Sequence, residues 1–463
     1  MASLVKLVEM LQRAKDGPAC SIREWEIKRM PKTVQKYLKK YELEKTFNPE
    51  TPVNQDLELG DRFFEAGLEM AAELGLLFID TETVVNVSKE EILEAVDRAP
   101  AQLELGLGKS RLNLSARRPE DSRPPVFAGP LCIQVSEELY VPITEGILRS
   151  KQVRIQGGPS IDTVFGYPVY SHTPFESAAA FRDNRLRREA QWRADRIGIP
   201  NEGIASSTTE YGNLAGFAEQ NTESNPSIAL ILHPAEMKIG YASFHKAIVA
   251  AGYNAYILGG THSMIGGYSG SAEGAALANV ANALLQFPIL QVDIPDTTIY
   301  DVRNDSTCGR HGLWAMSVSL QALSRNTHTL LHNAINQSAG PCTEEILYTA
   351  TAGQTAAAVS GITYTVGVRS AGGRFKNYIT PLEHWFCAAS FEACAGMTLE
   401  QANELVLYLL SKYESTLSQP PKGKSFPECF DVETITPTKE WQGISDRVAT
   451  DMKDHGLEVV PII

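Results

Sequence analysis

The residues able to do acid–base or cation-binding chemistry stand where short apolar runs end. His233 follows the run IALIL (228–232) directly. An imidazole there can exchange a proton near neutral pH, or simply hydrogen-bond at a loop start. His262 lies in GGTHSMIGGYSGS, whose glycines allow tight turns and close approach of backbone to a ligand, or serve a bare connection. Asp293 and Asp296 close the run ILQVDI (289–294), and one of the two reads as a helix cap or loop acceptor. Asn333, Asn336 and Gln337 end TLLHNAI (329–335). Amides so closely spaced need partners when buried, and they read as ligand contacts. Tyr364, in ITYTVG (362–367), is either a core aromatic or a site residue.

Several chemistries are excluded by what these positions lack. No lysine ends a run and none occurs between Lys151 and Lys238, which argues against Schiff-base catalysis. No HxH or HExxH offers a metal face, so no metal site is expected, and no GxSxG or Walker loop occurs. A protein without such motifs leaves the difficult chemistry to a cofactor brought from elsewhere. The seven cysteines are scattered without CxxC spacing, as expected of reduced thiols. A net charge of −13 excludes polyanion partners, nucleic acid and anionic membrane alike. The arginines between Arg182 and Arg196 are interleaved with Asp183, Glu189 and Asp195, and read as a solvated or intersubunit helix face. No apolar run approaches the ~20 residues of a membrane span. The amphipathic start MASLVKLVEMLQRAKDG lacks the pattern of a signal peptide, so a cytoplasmic location is expected.

The elements that must position these residues follow from periodicity. Residues 1–120 read as a mainly helical, polar extension, with a capping box at Ser88–Glu91, and SARRPEDSRPP (115–125) reads as a linker. Then eight runs alternate with helical segments: VFAG (126–129), VRIQGG (153–158), EGIAS (202–206), IALIL, AYILGG (255–260), ILQVDI, TLLHNAI and ITYTVG. Thr173-Pro174-Phe175-Glu176 opens one helix, and Gly274–Leu285 and His311–Leu323 mark two others. Runs apolar on both faces suit parallel strands covered by helices. Eight βα units predict a (β/α)8 TIM barrel over 121–397, with its ligand groups at the carboxyl ends of the strands. An open doubly wound sheet is the alternative, and it lacks the GxGxxG turn. Residues 398–463 read as a helical tail, with one helix capped at Thr398–Gln401 and another opening at Thr436-Pro437 and ending near Gly456. Its apolar end VVPII packs on the barrel or on a neighbouring subunit.

Five segments carry a resemblance: AGLEM (66–70), SEELYVP (136–142), IGGYSGS (265–271), SAGPCTEEILYTATA (338–352) and GKSFPECFDVETITPT (423–438). Through them the chain resembles, nearly end to end, the monomethylamine:corrinoid methyltransferases of methylotrophic methanogens. The resemblance implies a TIM barrel assembled as a homo-oligomer, a hexamer, with no tightly bound cofactor of its own. It implies transfer of a methyl group from methylamine to the Co(I) of a separate corrinoid protein docked at the barrel mouth. It also implies a catalytic pyrrolysine in the loop after the third strand.

At that loop, GIPNEGIASSTTEYGN (198–213), the chain departs from the family. Anchoring on Gly198 and Pro200 puts Ala205 at the pyrrolysine position; anchoring on Gly212-Asn213 puts Glu202 there. The glutamate and glutamine that accompany pyrrolysine fall near Gly260 and Ala334. The expectation is therefore a pyrrolysine-independent methyltransferase whose donor already carries positive charge, a methylated amine such as a quaternary amine or betaine. Tyr211, Tyr268 and Tyr364, with Glu202 or Glu210, would cage that cation, each aromatic face contributing ~0.5–2 kcal/mol. Glu202, His233 and His262 are the catalytic candidates, and Ala205, Asp293, Asn333 and Asn336 join the substrate-binding set. Two alternatives stand beside this reading. One is demethylation of an uncharged methoxy or methylthio donor with acid assistance from His233 or His262. The other is a non-catalytic barrel that binds a methylated ligand or a corrinoid protein.

Overall fold

In the computed structural model, which describes residues 2–131, 133–203, 209–220 and 227–463, most of the apolar runs after residue 125 become short parallel strands. They are β1 (Val126–Gly129), β2 (Val153–Gln156), β3 (Ile228–Leu232), β4 (Tyr256–Gly260), β5 (Ile294–Pro295), β6 (His332–Ala334) and β7 (Tyr364–Val366). β1 pairs with β2, Gln156 bridges to Asn201, and Glu202 bridges to Ile228. β3 pairs with β4 and β4 with β5; Asp296 bridges to His332; β6 pairs with β7, and β7 with β1. The pairing thus returns to its start, a closed parallel ring of eight positions in which the third is the stretch 201–202. A helix follows each position: α1 (Glu137–Arg149), α2 (Pro174–Arg193), α3 (Glu210–Gln220), α4 (Tyr241–Gly252), α5 (Ala272–Leu290), α6 (Arg310–Asn326), α7 (Glu344–Val359) and α8 (Pro381–Ala393).

The strands are apolar on both faces, yet their side chains still alternate, because successive Cβ atoms point to opposite sides of a strand. Val126, Ala128, Ile228, Leu258, Ile294, Leu330, Ala334, Tyr364 and Val366 form one core inside the ring. Phe127, Ala229, Ile231, Ile257, Leu331 and Ile335 belong to a separate core under the helices. The hairpin Gln102–Leu105 with Leu112–Ser115 adds Leu103, Leu105, Leu112 and Leu114 to the inner core, filling the ring at the amino ends of the strands.

Several expectations are corrected. Beside the helices Leu4–Lys15, Met30–Lys40, Leu57–Leu74 and Lys89–Arg98, residues 1–120 also hold two hairpins that the sequence did not show, the one just described and another at Leu76–Phe78 with Thr83–Val85. The stretch 115–125 is no loose linker. Arg117 is buried there and donates to the carbonyls of Asp121, Arg123, Ala358 and Ile362. In ILQVDI, Ile289 and Leu290 end α5, and the strand begins only at Ile294. Thr173 precedes α2, but its hydroxyl turns back to the Tyr170 carbonyl instead of capping the helix. Thr436-Pro437 pairs with Phe430–Asp431, and the last helix starts at Lys439 with Thr438 as its cap. The capping boxes at Ser88 and Thr398 both form. The chain end packs beside β2: the Lys151 amide donates to the Ile462 carbonyl at 2.8 Å, and the Ile462 amide to Gln152 Oε1 at 2.9 Å. No helix among the described residues is long and apolar enough to cross a membrane.

Candidate functional site

The alternation that fills the lumen with aliphatic groups also places its polar ones. Leu330, just before β6, and Ala334, at its end, face inward, so His332 between them does too. Asp296, two residues beyond the inward Ile294, shares that face. Asn201 is held outward by Gln191 of α2, which donates to its Oδ1 at 2.9 Å, and Glu202 turns inward. Tyr364 lies beside His332 in the β6–β7 register.

These four side chains meet. His332 Nδ1 is 3.2 Å from Asp296 Oδ1, and its Nε2 is 3.8 Å from Glu202 Oε1. The Tyr364 ring packs on the imidazole with centroids 4.6 Å apart and planes at 46°. Asp296 Oδ2 lies 4.0 Å from Nε2 of His262, whose side chain is 32% exposed at the mouth. Glu202, Asp296, His332 and Tyr364 are all 5% exposed or less. Asp296 is braced by Thr298, whose hydroxyl donates to its Oδ1 at 2.7 Å and accepts from the Ala334 amide at 2.8 Å. A Cβ on Gly260 would sit 2.9 Å from Asp296 Cβ, so only glycine leaves room for this carboxylate.

Four buried polar atoms in this cluster make no hydrogen bond to any described residue: Glu202 Oε2, Asp296 Oδ2, His332 Nε2 and Tyr364 Oη. The Tyr364 phenol lies against the Glu202 carboxyl without reaching hydrogen-bond geometry. Each such buried group costs about 1–3 kcal/mol, and buried polar groups are normally paired. Four in one place make this cluster the candidate ligand site. Burial pushes the Glu202 carboxyl above the ordinary glutamate range, against the pull of His332. Burial pushes Asp296 the same way, but the His332 hydrogen bond and the neighbouring imidazoles outweigh it and hold the group below its usual value. His262 is pushed down by its enclosure, and Asp296 opposes that shift. Burial raises the Tyr364 phenol well above its usual value, so it stays protonated. The arrangement can hold a small cation by direct contact with carboxylate and imidazole acceptors.

Not every expected residue is here. His233 faces outward, the neighbour of a lumen position, and bonds Ser243 of α4 through Nδ1 at 2.9 Å; burial lowers it to about 3. Asn333 is likewise outward, donating to Met316 Sδ of α6. Asp293 sits at the amino end of its strand, where its carboxylate accepts the Ile257 amide, at the opposite end of the ring from the cluster. Asn336 ties down the neighbouring loop through Thr307. The tyrosine cage does not assemble. Tyr268 lies under the ammonium of Lys238, itself paired with Glu26, and Tyr211 is exposed with its edge to His172. Glu210 opens α3 within electrostatic reach of the buried Lys246. Ala205 lies outside the described residues.

Sequence reasoning missed His332, left open which of Asp293 and Asp296 was a cap or loop acceptor, and named only Asp293 for the site. A histidine inside an apolar run was the available signal, and alternation from Leu330 through Ala334 would have placed it inward. It also missed Glu236, a buried carboxylate that accepts the amides of Met264, Tyr268 and Ser269 and the Ser269 hydroxyl. Glu236 thereby organises the glycine-rich loop that follows His262. Among the described residues no group of His, Cys, Asp and Glu has the geometry of a metal site.

Fold and site together define an α/β protein whose polar centre lies inside a closed ring of parallel strands. The chain belongs to the family Monomethylamine methyltransferase MtmB, whose model matches residues 5–457. It is 28% identical to monomethylamine methyltransferase MtmB1 of Methanosarcina acetivorans and to MtmB3 of Methanosarcina barkeri, in each case over 97% of both chains. The crystal structure of the Methanosarcina barkeri monomethylamine methyltransferase superposes with a TM-score of 0.93 at 26% identity, covering 97% of this chain and 98% of that one. The crystal structure of a hydroxylamine MtmB complex matches equally well.

Proposed function

We propose that this chain is a methyltransferase that needs no pyrrolysine. It takes the methyl group of a methylated ammonium held in the lumen and passes it to the Co(I) of a separate corrinoid protein, which is its second substrate. In this reading the closed ring is a (β/α)8 barrel spanning 121–397, wrapped by 1–120 and 398–463, and the corrinoid protein docks over its open mouth. Assembly as a homo-oligomer belongs to the same reading.

The observation that carries it is the convergence of Glu202 Oε2, Asp296 Oδ2, His332 Nε2 and Tyr364 Oη, buried and unpartnered among the described residues. Attack on a methyl carbon needs a leaving group, and a positively charged nitrogen departs as a neutral amine. The methyl–nitrogen bond breaks, its electron pair stays on nitrogen, and the carbon bonds to cobalt. Holding the nitrogen as an ammonium keeps a neutral amine as the leaving group, and each 1.36 kcal/mol of barrier so avoided is worth tenfold in rate.

The same geometry shifts the preferred donor from a quaternary amine toward one that bears N–H. Of the three tyrosines expected to form an aromatic cage, only Tyr364 is at the cluster. What surrounds the site is a set of acceptors, which an N–H donor satisfies and a tetramethylated nitrogen does not. The test is to supply Co(I) corrinoid with methyl-, dimethyl-, trimethyl- and tetramethylammonium in turn and follow the loss of the Co(I) absorbance. Methylation from N–H donors, with tetramethylammonium at least tenfold poorer, is the expected result. Turnover of methoxy or methylthio compounds alone, or of nothing, would sink the proposal.

A further inference from the structure

The arginines of α2 do not all turn to solvent or to a neighbouring subunit. Arg187 is buried, and with the half-buried Arg188 it lines a cavity of about 400 Å³ on the outside of the ring. The cavity lies between the second half of α2, the tip of the hairpin that plugs the ring, and residues 197–201. Its volume falls in the range of small-molecule sites, about 300–1,000 Å³. Gln191 and Asn201 extend the polar wall, and Trp192 and Leu107 supply apolar surface at the rim, 70% and 38% exposed. No carboxylate lines the cavity among the described residues, although the chain as a whole carries a net charge of −13. The frame is tied together: the Leu107 amide donates to the Gly198 carbonyl at 2.8 Å, and Ser110 Oγ to the Ile197 carbonyl at 3.2 Å.

The groups on the ring side of this cavity are short of acceptors. Arg187 donates through Nε to Asp183 Oδ1 at 2.8 Å and through Nη1 to the Glu202 carbonyl at 3.4 Å. Its Nη2 is buried and meets no acceptor among the described residues. Gln191 Nε2 donates to both Gln156 Oε1 and Asn201 Oδ1, while Gln156 Nε2 is itself buried and unpartnered. The two orphaned groups are near one another by construction. Arg187 and Gln191 stand one turn apart on α2, and Gln156 and Gly158 share the outward face two residues apart. A Cβ on Gly158 would lie 2.3 Å from Arg187 Nη2, so glycine there leaves the guanidinium its place. Both orphans are donors. Buried donors without acceptors, beside a cavity free of carboxylates, call for a guest that brings charged oxygen acceptors of its own.

We propose that this cavity is a second ligand site, taking a small organic carboxylate with a flat apolar body. The carboxylate pairs with Arg187, whose guanidinium suits planar oxygen acceptors, and the body packs on the Trp192 indole and Leu107 at the rim. The proposal stands apart from the methyltransferase reading and does not depend on it. The two sites nevertheless share one wall. Asn201 turns outward beside the cavity and Glu202 turns into the lumen, so a single stretch of backbone separates them. That stretch is pinned to β2 by the Glu202 amide, which donates to the Gln156 carbonyl at 2.8 Å, and to α2 by Arg187.

The test titrates the full chain by calorimetry with naphthoate, an aromatic carboxylate, and with two fragments of its chemistry, acetate and the uncharged naphthylmethanol. Naphthoate should bind once per chain, and each comparison compound at least about tenfold more weakly. Trp192→Ala, a change at an exposed position that leaves the fold intact, should weaken naphthoate by about tenfold. Arg187→Gln made together with Asp183→Asn, so that neither charge is left buried alone, should abolish binding. Thermal melts without ligand establish that each variant is folded, and Trp192→Ala decides the matter if the double variant is not. A crystal of the complex should place the carboxylate against Arg187. No binding of naphthoate, equal binding of the uncharged alcohol, affinity indifferent to Trp192→Ala, or a carboxylate seated elsewhere on the chain would each overturn the proposal.

Discussion

Replacing Glu202 by glutamine should weaken ligand binding and stabilise the empty protein at once. The carboxyl is 5% exposed, with Oε2 unpartnered among the described residues, and burial raises it above the ordinary glutamate value. The folded state therefore holds a proton that the unfolded state loses first. As pH rises from the ordinary glutamate value through the raised one, the unfolded chain binds fewer protons than the folded one, and stability falls. Glutamine cannot ionise, so this loss should vanish. The unliganded variant should melt at the same temperature as wild type or higher above neutral pH, and the slope over the window should flatten. Binding should move the other way. A hydrogen bond to a charged group contributes about 1.5–3 kcal/mol, and the amide keeps one acceptor without the charge, so methylammonium should bind roughly 10- to 100-fold more weakly. Calorimetric titration with methylammonium and thermal melts across pH measure the two effects separately. A dissociation constant within about threefold of wild type, or a variant less stable than wild type without ligand, would refute the reasoning.

Three further outcomes follow from side chains near the site but not in it. His233 is buried outside the ring with its titration lowered to about 3, so the unfolded chain takes up a proton there that the folded one refuses. Stability should fall as pH drops from the ordinary histidine range toward 3, and His233→Gln should flatten that slope in urea titrations while leaving methylammonium binding unchanged. Glu236→Ala removes the acceptor of four donors in the 264–269 loop, and should cost about 2–4 kcal/mol and speed hydrogen exchange of the Met264, Tyr268 and Ser269 amides. The adjacent pair His332 and Asn333 separates lumen from helix layer. His332→Asn should raise the methylammonium dissociation constant about tenfold or more, whereas Asn333→Ala should lower stability alone; equal effects on binding would contradict the alternation.

Most of the strand positions were legible because apolar, β-branched runs between capped helices have few other solutions. The face each residue takes was harder to read, and this decides the site. Where both faces of a strand are apolar, hydropathy carries no phase, so His233 and Asn333 look as eligible as His332. The phase comes from the ring itself: Leu330 and Ala334 inside, Leu331 and Ile335 outside. Once it is known, His332 and Asp296 fall into the lumen, and His233 and Asn333 leave it. Asp293 was misplaced for a different reason. The run ILQVDI looked like a strand from its first residue, but α5 extends through Leu290, so Asp293 precedes the strand instead of ending it. Depth along the ring is thus as important as face, and helix length sets it. The tyrosine cage failed on a third count, because sequence distance cannot tell that Lys238 already covers Tyr268. What remains after these corrections is a smaller and more acidic centre than the residues suggested. Its composition, two carboxylates around one imidazole, suits the proposed binding of an ammonium through its N–H groups better than enclosure in aromatic faces.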